Sequence, residues 1–351
     1  MAKKALAAMS GGVDSSVAAF LLQQGGFECV GVTMKLFSGS SSSCCALSDV
    51  NDAKDAARRL GIPHYVCNFS DAFRDLVIRP FIETYQSGGT PNPCIDCNRH
   101  IKFGRLLFRM KQLDFEYLAT GHYARLERSS GRVLLKKARD AKKDQSYVLY
   151  TMTQDQLAHT LFPLGDLTKE EVRGLAREQG LANARKQDSQ DICFVDNRDY
   201  AGFIEGYTGA KAAPGDIIDE RGNKLGTHKG LIRYTIGQRR GLGLSYGTPR
   251  YVSAKSAAGN TVTLGEERSL YTAALTAEGL NFISCSGLDR PIRVKAKTRY
   301  LQTEQEAVAE QTGPDRLLVT FDRPQRAVTA GQAVVLYDGD LVIGGGTIQQ
   351  P

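Results

Sequence analysis

The segment LAAMSGGVDSSVAAFLL, residues 6–22, decides the fold of the first third of the chain. An apolar strand, Leu6–Met9, leads into Gly11-Gly12, and Ser15–Gln24 has the pattern of a helix. Glycines let a backbone approach an anion closely, and a helix N-terminus favours phosphate through its N–H groups and dipole. We therefore predict a phosphate-binding loop with Asp14 placed to hold Mg²⁺, although Val-Asp-Ser replaces the Gly-Lys-Ser/Thr of the Walker pattern.

Strand and helix patterns alternate beyond this loop. Cys29–Met34 and His64–Phe69 read as apolar strands on either side of a helix over Val50–Leu60. A further strand, Tyr117–Thr120, ends in Gly121-His122. This rhythm predicts an α/β fold with a parallel sheet and helices on both faces. Ligands of such sheets bind at the carboxyl ends of the strands, so the Ser10 loop and the Gly121 turn are expected to share one pocket.

After about residue 205 the sequence pattern changes to short, glycine-rich segments. Asp338-Gly339 between AVVLY and DLVIG predicts a β-hairpin, and the last part of the chain reads as an antiparallel β-barrel. We predict three domains: 1–204 with the phosphate-binding loop, a small central domain over 205–273, and the barrel over 274–351. The run Ser38–Ser43 is of low complexity and is predicted to be a mobile loop.

Composition limits the function classes. The 351 residues are 42% hydrophobic and 24% charged, with no apolar run of membrane-spanning length and no secretory signal pattern. We therefore expect a globular cytoplasmic protein without a membrane partner. Eight cysteines in such a chain indicate thiols, ligands or redox groups rather than a disulfide scaffold. The net charge of +7 modestly favours a polyanionic partner.

Two stretches carry the cysteines that suggest chemistry. In TPNPCIDCNR, residues 90–99, two prolines predict a stiff turn that displays Cys94 and Cys97 outside regular structure. A lone C-x-x-C is compatible with plain thiols, a redox pair or half of a zinc site. No second pair or H-x-x-x-H completes a zinc site, and the adjacent Cys44-Cys45 would chelate one metal awkwardly. The second stretch is KQDSQDICFV, residues 186–195, which contains Cys193. A single cysteine of this kind is usually a small, buried hydrophobic residue.

Taken together, these stretches resemble one family over nearly the whole chain: the bacterial tRNA-specific 2-thiouridylases, within the PP-loop ATP pyrophosphatases. No single motif is specific, but their joint order and spacing are. The motifs are SGGVDSS (10–16), TPNPxxxCNRxIKFG (90–104), ATGHYAR (119–125), KKDQSYVLY (142–150), LFPLG (161–165), DSxxICF (188–194), GQRRGLG (237–243), VKAKTRY (294–300) and GGG (344–346).

The resemblance implies ATP-dependent thiolation of a wobble uridine in tRNA. ATP would adenylate O2 of the base with release of pyrophosphate, and sulfur from a persulfide on Cys193 would then displace AMP. Cys97 matches the catalytic cysteine, which acts in direct transfer or in release of hydrogen sulfide. A Cys97–Cys193 disulfide would close one turnover and require reduction. The implied sulfur donor is a cysteine desulfurase or a sulfur-relay protein.

One position departs from the family pattern, because many members have an acidic residue where this chain has Cys94. Two interpretations stay open. Cys94 lines the pocket of the target base, or Cys94, Cys97 and Cys193 hold a [4Fe–4S] cluster with one open iron that binds sulfide.

The resemblance also implies a set of binding residues. Nucleotide contacts are expected from Ala8, Met9, Ser10, Gly11, Gly12, Val13, Asp14, Ser15, Met34 and Gly121. Contacts with tRNA or its target base are expected from Asn92, Pro93, Cys94, His122, Lys143, Asp144, Gln145, Arg299, Tyr300 and Gln332.

Two basic runs are further candidates for contact with RNA phosphates. Arg293, Lys295, Lys297 and Arg299 alternate, so on a strand all four would lie on one face. Lys136, Lys137, Arg139 and Lys142 form the second run, although such runs are often only solvated.

Two other classes of function are considered. A PP-loop amidotransferase or ligase would need neither the paired cysteines nor an RNA-binding barrel. A redox or iron–sulfur RNA-binding protein would have a vestigial loop and no ATP–pyrophosphate chemistry.

Overall fold

The structure is a computed structural model that describes residues 2–37, 47–129, 131–187, 191–244 and 247–349. The predicted loop Ser38–Ser43, the pair Cys44-Cys45 and residues 188–190 of the second cysteine stretch lie outside the described residues. Within the described ranges, no helix is both long and apolar enough to cross a membrane.

The first part of the chain is built on a five-stranded parallel sheet, as predicted. Its strand order is β3-β2-β1-β4-β7, and β5 and β6 form an antiparallel pair outside it. The strands are β1 (Lys4–Ala8), β2 (Glu28–Lys35), β3 (His64–Asn68), β4 (Tyr117–Ala119), β5 (Arg125–Ser129), β6 (Arg132–Lys136) and β7 (Thr160–Leu161).

The helices connect these strands and continue beyond them. They are α1 (Val13–Gln24), α2 (Leu47–Leu60), α3 (Ser70–Phe73), α4 (Arg79–Gln86), α5 (Pro93–Asp96), α6 (Leu107–Gln112), α7 (Gln154–Ala158), α8 (Lys169–Glu178) and α9 (Tyr200–Thr208). Two π-helical segments, Arg74–Ile78 and Cys97–Leu106, join α3 to α4 and α5 to α6. At the start of α8 the sequence Thr-Lys-Glu-Glu, residues 168–171, forms a capping box, in which the side chains of Thr168 and Glu171 each accept from the other's backbone N–H.

Both faces of the parallel sheet are covered. Ala5 and Ala7 of β1 pack into a core formed with α1, α2 and α8. Leu6, which points the opposite way, packs into a second core with Leu106 and Met110 of the helical run that follows Cys97. The alternation of β1 therefore supplies both layers of the α/β fold.

A small sheet follows in the middle of the chain. Its strands, β8 (Gly215–Asp219), β9 (Lys224–His228), β10 (Tyr251–Ser256) and β11 (Thr261–Gly265), have the order β10-β11-β8-β9. Ile217, Val252, Val262 and Leu264 belong to a separate core beneath them.

The last six strands form a closed antiparallel barrel, which confirms the prediction for this part of the chain. They are β12 (Tyr271–Phe282), β13 (Ile292–Lys297), β14 (Gln305–Gly313), β15 (Arg316–Arg326), β16 (Ala333–Asp338) and β17 (Leu341–Ile348). The order β12-β15-β14-β13-β16-β17 closes through pairing of β12 with β17. The predicted hairpin is present, and its turn is Gly339-Asp340, because Asp338 still pairs with Leu341.

The barrel shares a core with the first part of the chain, which the sequence did not indicate. Leu341 of β17 pairs with Lys136 of β6, so the β5–β6 hairpin extends the barrel sheet. Val335 and Tyr337 of β16 lie in the same hydrophobic core as Leu135 and Tyr147. The barrel is therefore packed directly against the first part of the chain and is not merely connected to it by a linker. The exact boundaries at 204/205 and 273/274 stay predictions.

Candidate functional site

The glycine loop joins β1 to α1 at the carboxyl edge of the parallel sheet. Gly11 has a φ of +75°, and a Cβ there would collide with the Asp49 carbonyl oxygen. The hydroxyls of Ser15 and Ser16 donate to the Gly12 carbonyl at 3.0 and 3.1 Å. Among the described residues no side chain caps the helix at Gly12. The first N–H groups of α1 are therefore arranged for an anion, as predicted for a phosphate-binding loop.

The Gly121 turn lies directly against this loop. A Cβ on Gly121 would sit 2.8 Å from both the Asp14 carbonyl carbon and the Ser15 nitrogen. The turn after β4 and the first turn of α1 are thus in contact, so the two predicted segments lie side by side, and a pocket shared by both stays a prediction. Only glycine permits that approach.

A lysine absent from the loop reaches it from another element. Nζ of Lys169, the first residue of α8, donates to Asp14 Oδ1 and Oδ2 at 2.7 and 2.8 Å. The Tyr123 hydroxyl donates to Asp14 Oδ1 at 2.9 Å. Lys169 is buried, so this pair is largely shielded from solvent. Sequence reasoning missed Lys169 because nothing in its local pattern links it to a loop 155 residues earlier.

A second contact comes from the segment that leads to Cys193. Asn183 Nδ2 donates to the Gly11 carbonyl at 3.1 Å and to Ser16 Oγ at 2.9 Å. Lys186 Nζ lies 2.6 Å from Asp49 and 2.5 Å from Asp52, both on α2. The loop, α2 and the start of the cysteine segment are thus bonded together. No role was predicted for Lys186, although it lies in the quoted stretch 186–195. No sequence motif pointed to Asn183.

The Cys94–Cys97 stretch corrects one prediction. It is not a turn that displays both thiols, because α5 begins at Pro93 and continues into the π-helical segment. Asn92 caps this helix, its Oδ1 accepting from the Cys94 N–H at 3.2 Å, and proline suits the first helical position. Cys94 is exposed and Cys97 is buried.

Cys97 and Cys193 contribute to one hydrophobic cluster. Cys97 is among its buried members, and Cys193 packs against it together with Met34, the last apolar residue of β2. Phe194 anchors the segment, with its ring centroid 5.6 Å from that of Phe73 and 5.2 Å from that of Phe81. The structure therefore brings both predicted catalytic cysteines and the predicted adenine contact, Met34, to one region.

Two tyrosines from distant parts of the chain, Tyr200 and Tyr300, are close enough to Cys94 for that thiol to contribute slightly to their pKa shifts. Burial, more than the nearby charges of Asp191 and Cys94, raises the pKa of Tyr200 to about 12. Burial, with smaller effects of Asp144 and Cys94, raises the pKa of Tyr300 to about 12 as well. Both phenols are therefore neutral hydrogen-bonding groups at physiological pH, and they mark the surroundings of the Cys94 thiol.

A metal cluster at these cysteines is not favoured. Within the part of the chain that the structure describes, no three His, Cys, Asp or Glu side chains are arranged to hold a metal ion. The [4Fe–4S] interpretation of Cys94, Cys97 and Cys193 is therefore not adopted. Asp14 is a single carboxylate paired with Lys169, which suits a Mg²⁺ ion that arrives with a nucleotide rather than a resident metal.

The barrel contacts the segment that leads into α5, the helix that contains Cys94. Gln332 Nε2 donates to the carbonyls of Thr90 and Pro91 at 2.8 and 3.3 Å, and the Thr90 N–H donates to the Ala330 carbonyl at 2.9 Å. Tyr300 packs near Tyr147, with ring centroids 6.1 Å apart. Gln332 and Tyr300, predicted to contact tRNA, thus border the same site as Cys94.

His122 and the segment Lys143–Gln145 lie beside the Gly121 turn. His122 is buried and bonded to Thr120 at 2.7 Å, and burial lowers its pKa well below the usual value. Gln145 Oε1 accepts from the Tyr123 N–H at 3.0 Å, while Asp144 accepts from Ala138 and Ser146. These residues shape the turn beside the loop, and their contacts with tRNA stay predictions.

The two basic runs are less cationic than their sequences indicate. Arg293 forms a two-pronged ion pair with Asp322 at 2.7 and 2.8 Å, and Lys295 lies 3.6 Å from Glu306. Lys137 is paired with Glu304 at 2.7 Å, and Arg139 with Glu171 at 3.4 Å. Acidic side chains on neighbouring elements neutralise positive charges in both runs. The barrel therefore does not present the predicted stripe of four cations along β13.

The fold and the site define a class. A glycine-rich loop at the carboxyl edge of a parallel sheet, in a chain that also carries a docked β-barrel, is the arrangement of a nucleotide-binding domain of the PP-loop type.

Comparison with known proteins specifies the family. Residues 3–197 match the tRNA methyl transferase HUP domain, residues 201–266 the tRNA methyl transferase PRC-barrel domain, and residues 272–348 the aminomethyltransferase beta-barrel domain. The chain is 48% identical to tRNA-specific 2-thiouridylase MnmA of Clostridioides difficile, over 100% of this chain and 99% of that protein. It is 50% identical to the protein of the same name from Acetivibrio thermocellus, over 99% of each.

A partial structural likeness, with a TM-score of 0.36 at 18% identity, covers 59% of this chain and 63% of U34-tRNA thiolase NcsA from Methanococcus maripaludis. The full-length similarity is decisive: the chain belongs to the family of tRNA-specific 2-thiouridylases.

Proposed function

We propose that this chain replaces O2 of the wobble uridine in tRNA by sulfur, with ATP converted to AMP and pyrophosphate. Membership of the 2-thiouridylase family over the full length supports the substrate and the reaction. The observation that supports the residue assignment is the shared cluster: Met34, Cys97 and Cys193 all belong to, or pack against, one hydrophobic cluster. Nucleotide activation and sulfur transfer are thereby neighbours.

The first step is adenylation. The loop from Ser10 to Ser15 would bind the pyrophosphate portion of Mg·ATP through the N–H groups at the start of α1. The uridine O2 attacks the α-phosphorus, and pyrophosphate leaves with the electron pair of the broken P–O bond. The carbonyl oxygen, a poor leaving group, becomes an AMP ester that can be displaced.

The second step is sulfur transfer. The terminal sulfur of a Cys193 persulfide attacks C2 of the activated base, and AMP leaves with the C–O electron pair. The Cys97 thiolate then attacks Sγ of Cys193, a Cys97–Cys193 disulfide forms, and the electrons of the former S–S bond remain on the sulfur of 2-thiouridine. An external dithiol reduces the disulfide. A sulfur-donor protein that carries a persulfide reloads Cys193.

The target base must leave its stack to reach these thiols. Gln332, Tyr300 and Arg299 on the barrel side, and Lys143–Gln145 on the loop side, border the site and are proposed to position the tRNA. Cytoplasmic location, expected from the sequence, fits this substrate.

The test is a thiolation assay on unmodified tRNA with ATP, a persulfide-loaded donor protein and a dithiol. Product is read as mercury-retarded tRNA in a gel, with AMP and pyrophosphate measured in parallel. Cys97→Ser and Cys193→Ser should abolish 2-thiouridine, while Cys285→Ser, a control in the barrel, should keep wild-type activity. Thiolation that persists in Cys193→Ser would contradict the persulfide role, and no 2-thiouridine from the wild type would overturn the function.

A further inference from the structure

Leu301 is placed unlike any other large hydrophobic residue that the structure describes. It is 91% exposed, whereas the next most exposed, Tyr65 and Phe108, reach 63% and 60%. It lies in the turn between β13 and β14 and directly follows Arg299 and Tyr300. A single exposed leucine is common on protein surfaces. Leu301 is of interest because of its position, directly after two residues predicted to contact tRNA.

The turn that presents Leu301 is rigidly built. The Gln302 N–H donates to the Arg299 carbonyl at 3.2 Å, which closes a β-turn with Tyr300 and Leu301 at its centre. Gln302 Oε1 accepts from both the N–H and the hydroxyl of Thr298, at 2.8 and 2.7 Å. Gln302 Nε2 donates to Gln325 Oε1 on β15 at 3.0 Å. The leucine is therefore held outward by a fixed frame rather than carried on a loose loop.

The same turn borders the candidate active site. The residue before Leu301, Tyr300, points inward and lies near Tyr147 and the Cys94 thiol. Arg299 is tied to the Ala327 carbonyl and lies close enough to Arg326 for the two cations to affect each other, burial being the larger cause of the lowered pKa of Arg299. Leu301 thus lies beside the candidate site and next to two arginines, of which Arg326 is also 3.6 Å from Glu267.

We propose that Leu301 is an apolar wedge that enters the anticodon stack when the target uridine turns into the pocket. This inference rests on the proposed function, because it needs a base that leaves its stack. Enzymes that extrude a base lose the stacking energy of that base, and inserted apolar side chains offset the loss by packing against the bases left behind. Tyr300 and Leu301 divide the work: Tyr300 lines the pocket, and Leu301 fills the gap.

The charges around the wedge favour RNA over a protein as its partner. Arg299, bonded to the Ala327 carbonyl, and Arg326, which is also 3.6 Å from Glu267, lie near the Leu301 turn and can meet the phosphates beside an extruded nucleotide. A protein-docking surface would instead be expected to extend the leucine into a wider apolar patch.

The experiment measures base unstacking directly. An anticodon stem-loop RNA carries 2-aminopurine on the 3′ side of the target uridine, and its fluorescence rises when the stack opens. Four proteins are compared without ATP: wild type, Leu301→Ala, Leu301→Met and Leu113→Ala, the last a control for an exposed leucine on another surface, 47% exposed. Leu301→Ala should lose most of the fluorescence rise, while Leu301→Met and Leu113→Ala keep it. Thermal unfolding shows that all four are folded.

Thiolation gives the second readout. With intact stem-loop RNA, Leu301→Ala should slow single-turnover thiolation by ~10-fold, within the range found when a stacking contact is removed. An RNA with an abasic site beside the target, where the stack is already open, should restore the rate to within about 2-fold of wild type.

The outcomes separate the wedge from the proposed function. A fluorescence rise that is unchanged in Leu301→Ala overturns the wedge. So does a defect of Leu301→Ala that appears with a protein sulfur donor and vanishes with inorganic sulfide, since Leu301 would then contact the donor. Loss of the rise in Leu301→Ala alone supports the wedge, even if the wild type forms no 2-thiouridine and the proposed function fails.

Discussion

Lys169 Nζ lies 2.7 and 2.8 Å from the two carboxylate oxygens of Asp14 in the glycine loop. The loop lacks the lysine that a Walker loop carries within its own sequence, and α8 supplies one from the other side of the site. An unbalanced carboxylate beside the phosphates would repel them. Lys169 therefore offsets the charge of Asp14 and makes the loop compatible with a polyanion.

Replacement of Lys169 by Met should weaken ATP binding. We expect the KM for ATP in tRNA thiolation to rise about tenfold at limiting Mg²⁺, because the Asp14 charge is no longer balanced. Excess Mg²⁺ should reduce the effect, since the ion takes over part of that balance. Titration of ATP at two Mg²⁺ concentrations checks this.

The neighbouring Glu170→Gln is the control for Lys169→Met. Glu170 is exposed in the same helical turn, and its change should leave the KM nearly unaltered. Equal KM values for Lys169→Met and wild type at low Mg²⁺ would show that Lys169 only stabilises the fold.

Gly121→Ala tests the close approach between the two turns of the nucleotide site. The new Cβ would lie 2.8 Å from Asp14 and Ser15 backbone atoms, so the turn has to move away from the start of α1. We expect ATP affinity to fall about tenfold, with a loss of stability of ~1–3 kcal/mol. Equilibrium binding of an ATP analogue and thermal unfolding are the measurements.

Gly174→Ala is the matched control. Gly174 lies within α8, and the described atoms leave open space where its Cβ would be. Alanine in a helix interior should raise stability by ~0.5–1 kcal/mol with unchanged ATP affinity. Similar behaviour of the two variants would mean that the contact at Gly121 does not shape the nucleotide site.

Asp96 makes stability depend on pH. Burial, opposed by the nearby Arg99, raises the pKa of this carboxyl to about 6. The folded state thus binds the proton more tightly than the unfolded state, whose pKa is near 3.8. This contribution to stability is therefore lost as the pH rises from about 4 to about 6, and it stays lost above.

Asp96→Asn should remove that dependence. We expect the variant to be more stable than wild type at about pH 7.5, by at most ~3 kcal/mol, and the difference to shrink towards zero near pH 4. Thermal unfolding between these pH values gives the measurement, with Asp289→Asn in the exposed loop before β13 as control. A stability difference between Asp96→Asn and wild type that grows as the pH falls would contradict this prediction.

Gln332→Ala tests the contact between the barrel and the cysteine helix. Its two hydrogen bonds to the Thr90 and Pro91 carbonyls hold the barrel against the turn before Cys94. We expect a several-fold lower kcat for thiolation and a small loss of stability, ~1 kcal/mol. The contact positions residues of the candidate site and contributes little to the hydrophobic core. Single-turnover kinetics at saturating tRNA check this, and a change in KM for ATP alone would contradict it.

Much of the fold could be predicted because its signals are local. The glycine loop, the parallel strands, the Thr168 capping box and the Asp338-Gly339 hairpin each depend on residues within a few positions of one another. Strand and helix ends differ from the prediction by one to a few residues; α1, for example, begins at Val13 rather than Ser15. The one clear local error was the cysteine stretch, where Pro93 starts a helix instead of stiffening a turn.

The sequence by itself thus determined the class of the fold, the glycine loop and the family. The period of hydrophobic residues, the placement of glycines and the order of the motifs can each be read from the chain without knowledge of tertiary contacts. Only the tertiary structure decided that Lys169 balances Asp14, that acids on other strands balance the basic run on β13, and that β17 joins β6. Those relations join residues distant in sequence, and the packing of separate elements sets which side chains meet.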